Sequence, residues 1–147
     1  MQTKEEVMES LEKYGPLVGR ILLALIFFLS GLNKIFAWDF NTGYMAAKGM
    51  PMVAIFLVAA IVIEIGGSLS VILGYKARLG AVALIVFTIP ASVIFHNFWA
   101  LKGMDQVLNM AMFMKNFSII GGLLLVVAFG AGRFSIDNRK SAGEPKT

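Results

Sequence analysis

One apolar run, residues 51–73 with the sequence PMVAIFLVAAIVIEIGGSLSVIL, constrains the fold of this chain more than any other stretch. As an α-helix it would extend about 34 Å, enough to cross a hydrocarbon core of about 30 Å. Glu64 lies near its middle. Because an isolated charge at that depth is unfavourable, Glu64 must be neutral, paired or next to water. The sequence therefore predicts a polar partner for Glu64 elsewhere in the chain.

Three further apolar runs have the length of a membrane span, at residues 17–36, 79–99 and 107–129. Hydrophobic residues make up 58% of the 147-residue chain, which is typical of a helical bundle in lipid. The sequence thus predicts an all-α fold, an integral membrane four-helix bundle formed by residues 17–133 as one domain.

The remaining segments are two tails and one long connection. Residues 1–16 are expected to form a partly helical tail, and residues 134–147 a polar tail with little reason to order. In the connection, AWDFNTGYMAAKGM, Asn41 or Thr42 can cap a short helix and Gly49 can end it. Its tryptophan and tyrosine are aromatics typical of membrane interfaces. We expect a short interfacial helix between the first two membrane helices.

Basic residues predict the orientation of the bundle. Four crossings place both tails on one side of the membrane. Nine of the thirteen Lys and Arg residues lie on that side: six in the tails or just before the second tail, Arg20 at the start of the first run, and Lys76 and Arg78 in the turn between the second and third runs. The positive-inside rule therefore predicts that both termini are cytoplasmic. The same distribution explains the net charge of +4 without a nucleic-acid partner.

The chain contains no cysteine and one histidine. These counts exclude disulfides, thiol catalysis, iron–sulfur clusters and cysteine-based zinc sites within the chain, and a bis-histidine haem would need a second chain. We expect no haem, iron–sulfur cluster, zinc or other metal site.

Lys115 in the fourth run is the predicted partner of Glu64. From helix midpoints near residues 62 and 118, Glu64 lies about 3 Å to the cytoplasmic side of the midplane and Lys115 about 5 Å to the outer side. By the same measure, His96 and Lys34 lie about 10 to 12 Å outward. Four polar residues from four helices are thus expected to share a cavity that opens toward the outer leaflet.

Other polar and small residues have structural interpretations. Arg20 is expected to extend its side chain to the lipid headgroups. Both Arg20 and Arg78 are interpreted as structural polar residues. Gly66, Ser70 and Gly74 form a small-xxx-small pattern that is available for helix packing or for a homo-oligomer. The Glu64–Lys115 pair itself is interpreted either as functional or as only structural.

Five segments occur in a fixed order: GRILLALIFFLSGLNKIF, YMAAKGMP, EIGGSLSVILGYKARLGA, FHNFW and FMKNFSIIGGLLL. Together, over residues 19–137, they resemble the signatures of the DoxX family of small bacterial membrane proteins. The resemblance implies a four-helix protein of the bacterial plasma membrane. It also implies recurrent polar positions at Arg20, Lys34, Glu64, Arg78, His96, Lys115 and Asn116. Members of the family are linked to quinone-dependent thiosulfate oxidation and to membrane oxidoreductase complexes, and more distant relatives assist receptor assembly.

The polar residues also suit a quinone headgroup, which needs an apolar slot, donors for two carbonyl oxygens and a protonatable group. Glu64 would relay protons, while the proposed donors and slot residues are Lys34, His96, Lys115, Asn116, Asn33 and Trp99. Since the chain has no flavin, haem or metal motif, the electrons would come from a soluble or membrane redox partner. We hypothesise a quinone-interacting subunit of a membrane-associated oxidoreductase.

Two alternatives belong to other functional classes. A small-molecule or proton pathway would need polar residues from Glu64 to the cytoplasmic face, where the second helix offers only Ser68 and Ser70. A membrane scaffold or assembly factor without catalysis would need only the buried pair and an exposed face of small residues. For His96, a hydrogen-bonded structural histidine is the alternative to a ligand contact.

Overall fold

The computed structural model describes residues 3–143, with side chains for residues 3–139. This part of the chain is helical and contains no strand, which confirms the predicted all-α class. The helices are α1 (Lys4–Phe36), α2 (Trp38–Ala47), α3 (Val53–Leu73), α4 (Ala77–Phe95), α5 (Gly103–Phe129) and α6 (Ile136–Gly143), with a 3₁₀ turn at Phe98–Ala100. The ends of both predicted tails, including Lys146, lie outside the described residues.

Four of these helices, α1, α3, α4 and α5, are long and apolar enough to cross a membrane. α1, α3, α4 and α5 follow one another around the bundle, and α2 is the short helix expected between the first two membrane helices. We call the end of the bundle that holds the start of α1 and the end of α5 the termini end, and the other the opposite end.

α1 begins at Lys4, thirteen residues before the predicted membrane segment. Thr3 and Glu6 form a capping box, in which Thr3 Oγ1 accepts from the Glu6 amide at 3.3 Å and Glu6 Oε2 accepts from the Thr3 amide at 2.8 Å. The first tail is therefore a helical extension of the membrane helix, and Pro16 lies inside it.

The helices are packed most closely toward the termini end. A Cβ on Gly67 would lie 2.8 Å from Leu84 Cγ, and one on Gly80 would lie 2.6 Å from Ser70 Cβ, so α3 and α4 meet at glycines. α5 approaches α1 at Gly122, where a Cβ would lie 2.9 Å from Leu23. The buried core includes Ala24, Phe27, Val71, Ala77, Ala81, Leu84, Leu123, Val126 and Ala131. The opposite half of the bundle is packed less tightly and holds the cavity described below.

The expected extension of Arg20 toward the headgroups is wrong. Arg20 is 4% exposed, and its guanidinium donates to the carbonyls of Ile72 at 3.3 Å, Ala131 and Phe134. These carbonyls lie at the end of α3 and just after α5, where helical backbone lacks internal donors. Arg20 therefore links the segment after α5 to α1 and α3 through hydrogen bonds.

The segment after α5 contains helix α6, although its composition had predicted a polar tail with little reason to order. Asp137 in α6 accepts hydrogen bonds from the amides of Lys76 at 2.8 Å and Ala77 at 3.1 Å, at the start of α4. The carboxylate thus caps α4, which otherwise has no side-chain cap of its own. Ordering of this segment depends on contacts with distant residues and not on its own composition.

Candidate functional site

A cavity of about 860 Å³ lies between the membrane helices. Each of the four helices contributes one of the polar residues expected there, namely Lys34, Glu64, His96 and Lys115. Asn116 also lines the cavity, and most of the remaining lining residues are apolar. Convergent polar groups in a largely apolar cavity are the usual composition of a small-molecule site.

Glu64 forms an ion pair with Lys34 on the cavity wall. Glu64 is 3% exposed, and Lys34 Nζ lies 2.9 Å from Oε2. The same ammonium donates to Oε1 at 3.1 Å and to Ser30 Oγ at 2.8 Å, while the Ser30 hydroxyl donates to Oε1 at 3.1 Å. Oε2 has the ionic contact but no aligned hydrogen bond. The buried charge is therefore compensated by an ammonium that contacts both carboxylate oxygens.

The predicted pairing of Glu64 with Lys115 is wrong, and side-chain direction explains why. Side chains on an α-helix point back toward its N-terminus. Lys34 on α1 therefore reaches back over Ser30 toward the middle of the bundle, where Glu64 lies. α5 runs the other way, so Lys115 points toward the opposite end, and its Nζ contacts Met112 Sδ at 3.3 Å. The depths of the Cα atoms placed Lys115 nearer to Glu64 than Lys34, and the directions of the side chains reverse that order.

A glycine brings the two partners of the ion pair together. Gly31 follows Ser30 on α1, and a Cβ at Gly31 would lie 2.6 Å from Ile65 Cγ1 and 3.4 Å from Glu64 Cβ. The absence of a side chain allows α1 to approach α3 at the level of the carboxylate. The sequence indicated a small and polar stretch here but not the residue it would contact.

A second polar group links α4 to α5. Asn116 donates from Nδ2 to Ser92 Oγ at 2.9 Å, and Ser92 donates to the Thr88 carbonyl at 2.7 Å. Thr88 in turn donates to the Leu84 carbonyl at 2.6 Å. Thr88 and Ser92 were not among the predicted site residues. Their spacing was nevertheless a signal, since hydroxyl residues in a helix often bond to a carbonyl one turn earlier, and these two lie four positions apart on either side of Pro90.

His96 follows the last residue of α4 and also lines the cavity. Its Nδ1 lies 3.3 Å from Asn109 Oδ1 on α5. Because an amide oxygen only accepts, Nδ1 carries the proton, and in the neutral ring Nε2 is left as an acceptor. The structural interpretation of His96 and a contact with a ligand are thus compatible, since each would use a different ring nitrogen.

Four of the sequence-predicted site residues do not line the cavity. Asn33 is exposed on α1, and Trp99 packs edge-on against Phe98 and Phe113 at centroid distances of 5.3 and 5.9 Å. Arg20 and Arg78 lie toward the termini end, where Arg78 donates to the Ala128 carbonyl at 3.4 Å.

The cavity reaches the surface between α3 and α4. Its lining includes exposed apolar residues of both helices, among them Phe56 on α3 and Val86 on α4, which are 42% and 63% exposed. Toward the opposite end, Asn41, Tyr44 and Met45 of α2 line the cavity, and Tyr44 stacks on Phe95 at 5.5 Å. Exposed apolar side chains of α3 and α4 thus border the cavity on one side, and α2 lies where the sequence predicted a mouth toward the outer leaflet.

The chain is similar in sequence to known membrane proteins. The DoxX family model matches residues 15–97. Inner membrane protein YqjF of Escherichia coli is 38% identical over 88% of this chain and 95% of its own length, and inner membrane protein YphA of the same organism is 37% identical over 84% and 88%. The ER-derived vesicles protein ERV29 of Saccharomyces cerevisiae is 28% identical over 69% of this chain, which spans 36% of that protein.

No solved structure matches the chain. The family match contains Lys34, Glu64 and His96, and the two bacterial relatives cover most of both chains. Together with four helices of membrane-spanning length, they show a multi-pass protein of the bacterial inner membrane. The chain belongs to the DoxX family.

Proposed function

We propose that the protein binds a lipid-soluble quinone in its cavity and acts as a quinone-interacting subunit of a membrane-associated oxidoreductase. The observation that carries this proposal is the Lys34–Glu64 ion pair, which lies buried on the wall of a cavity that reaches lipid. Ionisable residues inside a membrane mark functional sites by default. A ligand that diffuses in the bilayer could enter between α3 and α4 without crossing water.

The lining residues suit the parts of a quinone. Apolar side chains such as Phe27, Ile63 and Phe87 would contact the ring and the start of its hydrocarbon tail. Asn116 has a second amide hydrogen beyond the one bonded to Ser92, and this hydrogen is available to a carbonyl oxygen.

Reduction of a quinone to a quinol takes up two electrons and two protons, and the cavity holds two side chains that could each carry one of these protons, the Glu64 carboxyl group and the His96 ring. In Glu64 the proton would lie on Oε2, so that Lys34 would lose its contact with Oε2 and keep its hydrogen bond to Oε1. The electrons would come from a partner protein, since the sequence carries no flavin, haem or metal motif.

The alternative of a continuous proton pathway has less support. Below Glu64, the hydroxyl of Ser68 donates to the Ile65 carbonyl, and that of Ser70 donates to the Tyr75 carbonyl. Both hydroxyls thus bond locally, and the core at this end is apolar. A scaffold would need the ion pair but no cavity beside it. The arrangement therefore favours a binding site that is closed toward the termini end over a continuous pathway or a scaffold.

The test is extraction of the purified protein with organic solvent, followed by mass spectrometry of quinones. We expect the wild type to carry quinone, and Lys34→Met or Glu64→Gln to lower its amount about tenfold, the effect of losing one hydrogen bond to a charged group. Lys102→Met serves as the control, because Lys102 is exposed and lies outside the cavity. A wild-type protein that carries no quinone and does not take it up would contradict the proposal and favour a scaffold.

A further inference from the structure

We propose that Lys115 binds the acidic headgroup of a membrane amphiphile, a phosphate or a carboxylate attached to a hydrocarbon chain. This position lies in the same cavity as the Lys34–Glu64 pair but on the wall formed by α5. The inference goes beyond quinone binding and does not depend on it.

The first observation is the position of Lys115 near the middle of α5. α5 runs from Gly103 to Phe129, so Lys115 lies one residue from its centre and about 18 Å from its first residue. The boundary of the hydrocarbon core lies about 15 Å from the midplane, farther than the four-carbon stem of a lysine can reach. With the middle of α5 at the membrane midplane, the ammonium group lies at the level of the lipid chains and is beyond the reach of the headgroup region.

The second observation is that this ammonium has no counter-charge. Among the described residues, the contact of its Nζ is with the thioether of Met112 at 3.3 Å, and a thioether is a weak, uncharged acceptor. No described carboxylate lies within 4 Å of it, and Glu64 is already paired with Lys34. A cation in this setting is stabilised by an anion from outside the chain.

The third observation is the net charge of the cavity and the apolar residues around it. The charges of Lys34 and Glu64 offset each other, so among the described lining residues Lys115 leaves the cavity with one uncompensated positive charge. Ile119, one turn from Lys115, and Ile26 on α1 are apolar lining residues. A ligand with a single negative charge and a hydrocarbon chain complements both features.

An amphiphile also fits the access route better than a free oxyanion does. The cavity reaches the surface through exposed apolar residues of α3 and α4, so a hydrocarbon chain can remain in the bilayer while its headgroup lies inside. A small inorganic anion would have to leave water and cross apolar surface to reach Lys115. The chemistry is common to an anionic phospholipid and a fatty acid, and the experiment distinguishes the two.

The experiment measures thermal unfolding of the full chain in a neutral detergent, titrated separately with phosphatidylglycerol, oleate, diacylglycerol, oleyl alcohol and inorganic phosphate. We expect phosphatidylglycerol, oleate or both to raise the midpoint, because a ligand bound only by the folded state stabilises it. The stabilising compound identifies the source of the headgroup. Diacylglycerol and oleyl alcohol, which have the same chains without the charge, should have no effect, and neither should phosphate.

Variants assign the effect to one residue. Lys115→Gln should weaken the apparent affinity for the acidic amphiphile about tenfold or more, Lys115→Arg should retain it, and Lys102→Gln should match the wild type. Equal stabilisation by the uncharged compounds, stabilisation by phosphate alone, or unchanged affinity in Lys115→Gln would overturn the proposal. If Lys115→Gln does not fold, the wild type and Lys115→Arg still test the proposal, because both should be stabilised more by oleate than by oleyl alcohol.

Discussion

The ion pair between Lys34 and Glu64 is the residue-level feature that distinguishes this bundle from a purely apolar one. A buried pair adds little net stability, but removing one partner leaves an uncompensated charge. Ser30 bonds to both members, so the three side chains form one connected group. This arrangement makes a specific prediction about pairs of substitutions.

Lys34→Met and Glu64→Gln should each destabilise the folded protein by about 3 kcal/mol, because each leaves a buried polar group without its partner. The double variant should recover much of that loss. The measurement is the free energy of unfolding in a mixed-detergent titration, read as a double-mutant cycle. The control cycle joins Glu64→Gln to Lys115→Met, whose effects should add; coupling in that cycle and not in the first would contradict the observed pairing.

At this scale, the sequence predicted which residues would gather but not how they would bond. Glu64 was identifiable as a buried acid from its place in residues 51–73, and Lys34, His96 and Lys115 were expected at the same cavity. The partner was misassigned because the depth of a Cα says nothing of the direction of a side chain. Lys34 and Lys115 lie on helices of opposite direction, so their side chains point to opposite ends of the bundle.

Contacts at glycines determine how the helices meet. α3 and α4 approach most closely at Gly67 and Gly80, and α1 approaches α5 where Leu23 packs on Gly122. All three contacts lie toward the termini end. In the other half, Gly31 brings α1 against α3 beside the ion pair, and the cavity lies between these two helices, α4 and α5.

Gly80→Ala should destabilise the protein by about 1 to 3 kcal/mol, because the new Cβ would lie 2.6 Å from Ser70 Cβ and force α3 and α4 apart. The measurement is again unfolding in mixed detergent. Gly66→Ala is the matched control, since nothing lies within 4 Å of a Cβ there and alanine is the better helix former. If Gly66→Ala were as harmful as Gly80→Ala, close packing at Gly80 would not be the cause.

Asp137→Ala should destabilise the start of α4 by about 1 kcal/mol, the usual effect of losing a helix cap. The two amides that Asp137 accepts from, those of Lys76 and Ala77, should then exchange hydrogen faster, while amides in the middle of α3 keep their protection. Hydrogen exchange read by mass spectrometry measures both regions. Unchanged exchange at Lys76 and Ala77 would show that the cap contributes nothing.

The helices differed in how well the sequence predicted them. The apolar runs identified all four membrane helices, because length and hydropathy are properties of a segment by itself. The extension of α1 begins at a local signal in the sequence, the Thr3–Glu6 capping box. α6 could not be predicted from its composition, because its order depends on Asp137 meeting the start of α4 and on Arg20 holding the preceding chain.

For the whole molecule, orientation in the membrane is a prediction from the distribution of basic residues. The chain contains no cysteine, so single cysteines can be placed without altering a natural one. Lys102→Cys lies in the loop before α5 at the opposite end, and Glu9→Cys lies on the exposed start of α1. In intact spheroplasts, an impermeant maleimide should label Lys102→Cys at once and Glu9→Cys only after lysis. The reverse pattern would place both chain ends outside.

The proposed function requires that a lipid-soluble ligand binds inside the bundle and not on its surface. The most direct test is photolabelling of the reconstituted protein with an azido-quinone, followed by peptide mass spectrometry. We predict labels on cavity residues such as Ile63 and Ala91, lost when unlabelled quinone competes and reduced in Glu64→Gln. Labels spread over lipid-facing residues outside the cavity, such as Leu125 and Phe129, and unaffected by competition, would contradict the account.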